Sequence, residues 1–171
     1  MPESIRQGRR YPGVVIQDRA FLRRAIELAE IHSKAGLNGP FGAVVVRGGE
    51  IVGEGWNRVV EAADPTAHAE MEAIREAART LGTHDLNDCS LYCSCEPCPM
   101  CLSAVYWARI QRVVYAASVE DAAEAGFDDA RILTELARGW PDRKVEAVQG
   151  LRDEGRTVLR AWAQNPRRVE Y

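Results

Sequence analysis

SLYCSCEPCPMC, residues 90–101, holds four of the chain's five cysteines, and the fifth, Cys89, stands directly before it. The first half reads as a strand over 90–95, and the proline-led second half opens a helix over 97–108. Disulfides, an iron–sulfur cluster, a structural zinc knuckle and a catalytic zinc site all compete for so many sulfurs. The rest of the chain has to choose among them.

At 171 residues and 46 % apolar content, the chain has the size of one domain with one core, which buries roughly 70 % of its unfolded surface. A single domain over 1–171 is expected, with an N-terminal extension over 1–17 and a C-terminal segment over 150–171. The opening MPESIRQGRRYPGVV lacks the apolar run of a signal peptide, and no stretch is long and apolar enough for a membrane helix. A cytoplasmic protein without membrane partners is therefore expected. In a reducing compartment, an odd and clustered set of cysteines argues against a disulfide framework and for metal or catalysis.

Twenty-two basic side chains stand against 25 acidic ones, a net charge of −3. Such a balance gives no bulk attraction to a phosphate backbone, so a small-molecule substrate is favoured over nucleic acid. Arg6, Arg9 and Arg10, Arg23 and Arg24, and Arg167 and Arg168 read as solvated faces or tails. They are the features that leave an RNA substrate open.

No repeat or long linker divides the chain. The run DRAFLRRAIELAEIHSKAG, residues 18–36, places Phe21, Leu22, Ala25, Ile26, Ala29 and Ile31 near one helical stripe. Asp18 is its expected N-cap and Gly36 its stop. FGAVVVRGGEIVGEGWN, residues 41–57, reads as a hairpin turning at Gly48 and Gly49. Asp64, Pro65 and Thr66 then break the chain before AHAEMEAIREAARTLG, a helix that opens near His68 and ends at Gly82. Strands are expected over 112–117 and 144–149 and helices over 130–138 and 156–164. A hairpin followed by alternating strands and helices predicts an α/β chain, a mixed sheet covered by helices on both faces.

Cys95, Cys98 and Cys101 begin a ferredoxin-like spacing, but Val105 occupies the position of the fourth cysteine. A structural zinc needs four protein ligands, and Cys93 or Cys95 are the spare thiolates that keep this reading open. A hydrolytic zinc site needs three ligands, an open position for water and a nearby base that is not a ligand. His68, Cys98 and Cys101 supply the three. In a helix from Pro97, Cys98 and Cys101 share a face of the first turn, where the helix dipole favours thiolates. Cys89, Cys93 and Cys95 then read as small apolar packing residues.

Glu70 follows His68 by two residues, so on a helix it does not face the same way. It is misplaced as a neighbouring ligand, yet within reach of a metal-bound water whose protons it can carry. His32 in the first helix and His84 in the polar loop GTHDLND read as structural or exposed.

HAE at 68–70 with PCPMC at 97–101 resembles the signature of zinc-dependent nucleobase deaminases. Within that superfamily the chain is most similar to the bacterial guanine deaminases. The likeness runs through NGPFGAVVV, GWN, DPTAHAEMEAIR, SCEPCPMCLSAVYWAR and DAAEAGFDD, and resumes at the terminal Glu170 and Tyr171.

The resemblance implies a three-layer αβα sandwich, cytidine deaminase-like, around a mixed sheet of about five strands. It implies hydrolysis of guanine to xanthine and ammonia with one Zn2+, a catalytic water and Glu70 as proton shuttle. Deaminases of guanosine, cytosine or a triazine such as ammeline share the same zinc residues and stay open, as do a tRNA adenosine deaminase and a non-catalytic zinc module. By the same resemblance Asn57 hydrogen-bonds the base, Phe41 and Trp107 pack on it, and Ala69 offers a backbone contact. Asp129 bonds donors near the leaving amine, although its neighbour Asp128 is an equal candidate. Tyr171 closes the pocket, in a homodimer whose C-terminal segments are exchanged between subunits.

Overall fold

The computed structural model describes residues 13–170. β1 (Gly42–Arg47) and β2 (Glu50–Trp56) are antiparallel neighbours joined through Gly48 and Gly49. Both glycines hold positive φ, +59° and +89°, the backbone that a two-residue turn needs to match the twist of its strands. β3 (Cys89–Cys95) pairs antiparallel with β1 and parallel with β4 (Arg112–Ala117), giving the order β2-β1-β3-β4.

Helices cover both faces of this mixed sheet. On one face, Val44, Val46, Tyr92 and Val114 pack against Phe21, Leu22 and Leu28 of α1 (Ile16–Ser33). On the other, Ala43, Val45, Leu91 and Cys93 pack against Ala69, Ala73 and Ala77 of α2 (Ala69–Leu81) and Val105 of α3 (Pro99–Trp107). The first five residues of β1 are buried because both their sides meet helix, each large side chain there contributing about 1.5–3 kcal/mol. The expected αβα sandwich is present.

Gly53 and Gly55 set the height of α2 above β2. A Cβ on Gly53 would run into the backbone oxygen of Ala73, and one on Gly55 into that of Ala69. Bare backbone at these two positions lets the helix lie directly on the strand, bringing its first turn down to the sheet.

Four strands are present among the described residues rather than about five. The stretch 144–149 forms no strand, and Val145 and Val148 are 71 % and 83 % exposed. β-branched residues without a neighbouring strand have no ladder to join. Asp18 is not the N-cap of α1, which starts at Ile16. It sits in the first turn, takes a 2.7 Å hydrogen bond from the Val15 backbone N–H, and is buried against Arg112 of β4. The helix expected from Pro97 starts at Pro99. α4 (Val119–Glu124) was not anticipated, whereas α5 (Asp129–Leu136) and α6 (Arg152–Gln164) fall near their expected places. Among the described residues, no helix is long and apolar enough to cross a membrane. Most of the N-terminal extension, residues 1–12, and Tyr171 lie outside the described residues.

Candidate metal centre

Two helix starts converge at the end of β3. Before α2, the Asp64 carboxylate accepts hydrogen bonds from the Thr66 N–H and hydroxyl, both 2.7 Å, making a turn at Pro65 that leaves His68 at the helix N-cap. Before α3, Pro99 occupies the first helical position with Cys98 as N-cap. His68 Nδ1 stands 3.6 Å from Cys98 Sγ and 3.6 Å from Cys101 Sγ.

Those distances fit a zinc ion. Bonds of about 2.3 Å to sulfur and 2.0–2.1 Å to nitrogen, opened to a tetrahedral angle, separate the two atoms by about 3.6 Å. One ligand atom from each of the three residues lies within 4.8 Å of the others, and no second such group occurs among the described residues. Cys89, Cys93 and Cys95 are buried elsewhere, Cys95 donating its S–H to the Ser118 carbonyl at 3.4 Å.

The charges of the cluster are coupled. Hydrogen bonding from Cys101, helped by His68, brings the Cys98 thiol down to about 4 against the cost of burial. Cys101 moves the opposite way, held protonated by its bond to Cys98 and by burial. The hydrogen bond to Cys98 raises His68. A dication changes this balance, because coordination strips the proton from both thiols.

Glu70 is buried, and burial pushes its carboxyl up to about 7. Its Oε2 accepts the Cys101 S–H at 3.4 Å. The carboxyl therefore stands beside the ligands without being one of the three.

Above the cluster lies a cavity of about 250 Å³ lined by Phe41, Asn57, His68, Glu70, Cys98 and Asp129, together with Gly39, Val59, Val60, Glu96 and Phe127. Phe41 and Phe127 meet edge to face, centroids 4.6 Å apart, and form an aromatic wall. Asn57 Oδ1 accepts the backbone N–H groups of Gly39 and Val59, both at 3.3 Å, which leaves the amide NH2 to donate. Burial raises the Asp129 carboxyl, while exposed Asp128 pairs with Arg131 at 3.3 Å.

A family model described as the cytidine and deoxycytidylate deaminase zinc-binding region matches residues 15–117. The chain belongs to this deaminase family. It is 50 % identical over 151 residues to guanine deaminase from Bacillus subtilis (strain 168), covering 88 % of this chain and 97 % of the relative. An X-ray structure of guanine deaminase from Bacillus subtilis matches with a TM-score of 0.86 at 49 % identity, over 90 % of this chain and 98 % of that one. Guanine deaminase from Nitrosomonas europaea matches at 0.63 and 34 % identity, over 75 % and 74 %.

Of the residues singled out from the deaminase sequence, Phe41, Asn57, His68, Glu70, Cys98 and Asp129 meet at one cavity, with Cys101 buried beside it. Ala69 is buried in the first turn of α2 and does not line the cavity. Trp107 does not line it either. It is 71 % exposed and borders a shallow groove with Val158, Leu159 and Trp162. Tyr171 is outside the described residues. Phe127 and Glu96 were not singled out, although GFDD and EPC carried the signal.

Proposed function

We propose that this deaminase converts guanine and water to xanthine and ammonia. The observation that carries the reading is a zinc-type ligand triad with a buried, non-ligating carboxyl beside it, at the base of a cavity walled by two phenylalanines. A zinc ion held by His68, Cys98 and Cys101 supplies a Lewis acid that makes water nucleophilic near neutral pH.

Glu70 takes a proton from the attacking water and delivers it to a ring nitrogen, while the water oxygen bonds to C2. A buried carboxyl beside the attacking water is placed to take and give protons in turn. Glu70 then passes the water's second proton to the amino group, the C2–N bond breaks, and ammonia leaves as the C2 carbonyl forms. Asn57 donates to an acceptor on the base, Phe41 packs on its ring, and Asp129 accepts from N–H groups near the departing amine.

We infer further that the enzyme is a single-domain cytoplasmic homodimer with exchanged C-terminal segments. α6 buries no residue and exposes Val158, Leu159 and Trp162, a face that suits a second subunit. Trp107 borders that face, so its contact with the base and that of Tyr171 belong to this dimer reading.

Ammonia release from guanine, guanosine, cytosine, adenine and ammeline tests the substrate. Guanine is expected to be turned over fastest, and a clear preference for another compound overturns the assignment. Removing residues 169–171 should abolish turnover and leave zinc bound; full activity without them removes Tyr171 from the site.

A further inference from the structure

We infer that Glu96 is a positioning residue that latches the wall carrying Phe127 and Asp129 onto the metal-binding loop. Glu96 is half-buried, lines the cavity, and stands two residues before Cys98. Its Oε2 accepts the backbone N–H of Val119 at 3.3 Å. Val119 opens α4, and the first N–H groups of a helix lack partners within it. Ser118 and Asp121 satisfy others by exchanging side-chain bonds, Ser118 N–H to Asp121 Oδ2 at 2.8 Å and Asp121 N–H to Ser118 Oγ at 3.3 Å. Glu96 takes the N–H between them from outside the helix.

The connection continues to the cavity without a break. At the far end of α4, the Phe127 N–H donates to the Ala122 carbonyl at 3.1 Å, and Gly126 turns with φ +94°. That closure ties Phe127 to α4 and sets its ring edge to face with Phe41. Asp129 follows as the first residue of α5. Glu96 thus holds one end of a short rigid lever whose other end forms the aromatic wall and carries the Asp129 carboxyl.

Two other hooks secure the same junction. The Glu96 N–H donates to the Ala117 carbonyl at 2.9 Å, and Cys95 Sγ donates to Ser118 O at 3.4 Å. Loss of the Glu96 side chain therefore loosens the wall without releasing it. The expected effect is about tenfold in affinity, the equivalent of one lost hydrogen bond.

The kinetic consequence rests on the guanine reading, but the latch is measurable without it. In Glu96→Ala, backbone amides over 119–129 should exchange with deuterium faster than in the wild type at unchanged zinc content. KM for guanine should rise about tenfold with a smaller change in kcat. Glu96→Gln keeps an oxygen for the Val119 N–H and should restore both exchange and KM. Wild-type exchange in Glu96→Ala overturns the latch. So does Glu96→Gln as impaired as Glu96→Ala, because the charge and not the hydrogen bond would then be what matters. Hydrogen exchange reads the latch whichever base the enzyme accepts.

Discussion

Asp18 and Arg112, 94 residues apart in sequence, meet through two hydrogen bonds of 2.7 and 2.8 Å that tie the first turn of α1 to the start of β4. Tyr92 of β3 donates its hydroxyl to the same carboxylate at 2.9 Å. The cluster joins three elements at the end of the parallel strand pair opposite the metal centre, since Arg112 pairs with Ser90 while Cys95 leads toward Cys98.

Acid stability should report on this pair. Hydrogen bonding by Arg112 holds the Asp18 carboxyl well below the usual carboxylate range. A depressed native value means that the unfolded chain binds the proton first as pH falls. The contribution is present above about pH 4 and fades as the solution becomes more acidic. Asp18→Asn should cost about 3 kcal/mol in urea unfolding at pH 7, the low end for breaking a buried pair, because Arg112 keeps some solvent contact. The gap from wild type should narrow toward pH 2–3.

Glu70 should affect the zinc-stripped protein in the opposite sense. Its native value is raised by burial, so between roughly pH 4.5 and 7 the unfolded chain loses the proton first and stability falls as pH rises. The total loss is about 3 kcal/mol. Glu70→Gln carries no such proton, and its apoprotein should lack this component of the pH slope in parallel urea titrations.

In the metal-loaded enzyme, Glu70→Gln should retain zinc and lose ammonia release by about 10²–10⁴-fold, the span of general acid–base catalysis. Elemental analysis and a coupled ammonia assay on the same sample separate the two. Near-normal turnover would remove Glu70 from proton transfer.

The sulfurs should divide cleanly by metal content. Cys98→Ser and Cys101→Ser are expected to lose zinc, whereas Cys95→Ser, which gives up only the bond to Ser118 O, should keep it. Zinc loss in the last variant would mean that Cys95 ligates in solution.

What could be read from the chain was local. Gly48 and Gly49 announce a tight hairpin because two consecutive positive φ values suit glycine. His68, Cys98 and Cys101 announce a metal because the ligand types and helix-start signals lie within short windows. α4 is silent in the sequence because its six residues are too few to establish a helical period. Asp18 reads as a cap because its partner Arg112 lies on a distant strand. The contact of Phe127 with Phe41 depends on where α4 and α5 come to rest, which no local pattern encodes. The 144–149 stretch misled in the other direction, having strand composition and no strand to join.

Gly53 and Gly55 have a bearing on any effort to retune this enzyme for other bases. Because α2 rests on naked main chain, an added methyl group there would push the helix off the strand and carry the imidazole at its N-cap with it, although neither glycine lines the cavity. Random libraries should therefore find inactive variants in the hairpin whose defect is one of angle and not of chemistry. Designers who vary only the cavity wall will leave this seam intact without having chosen to.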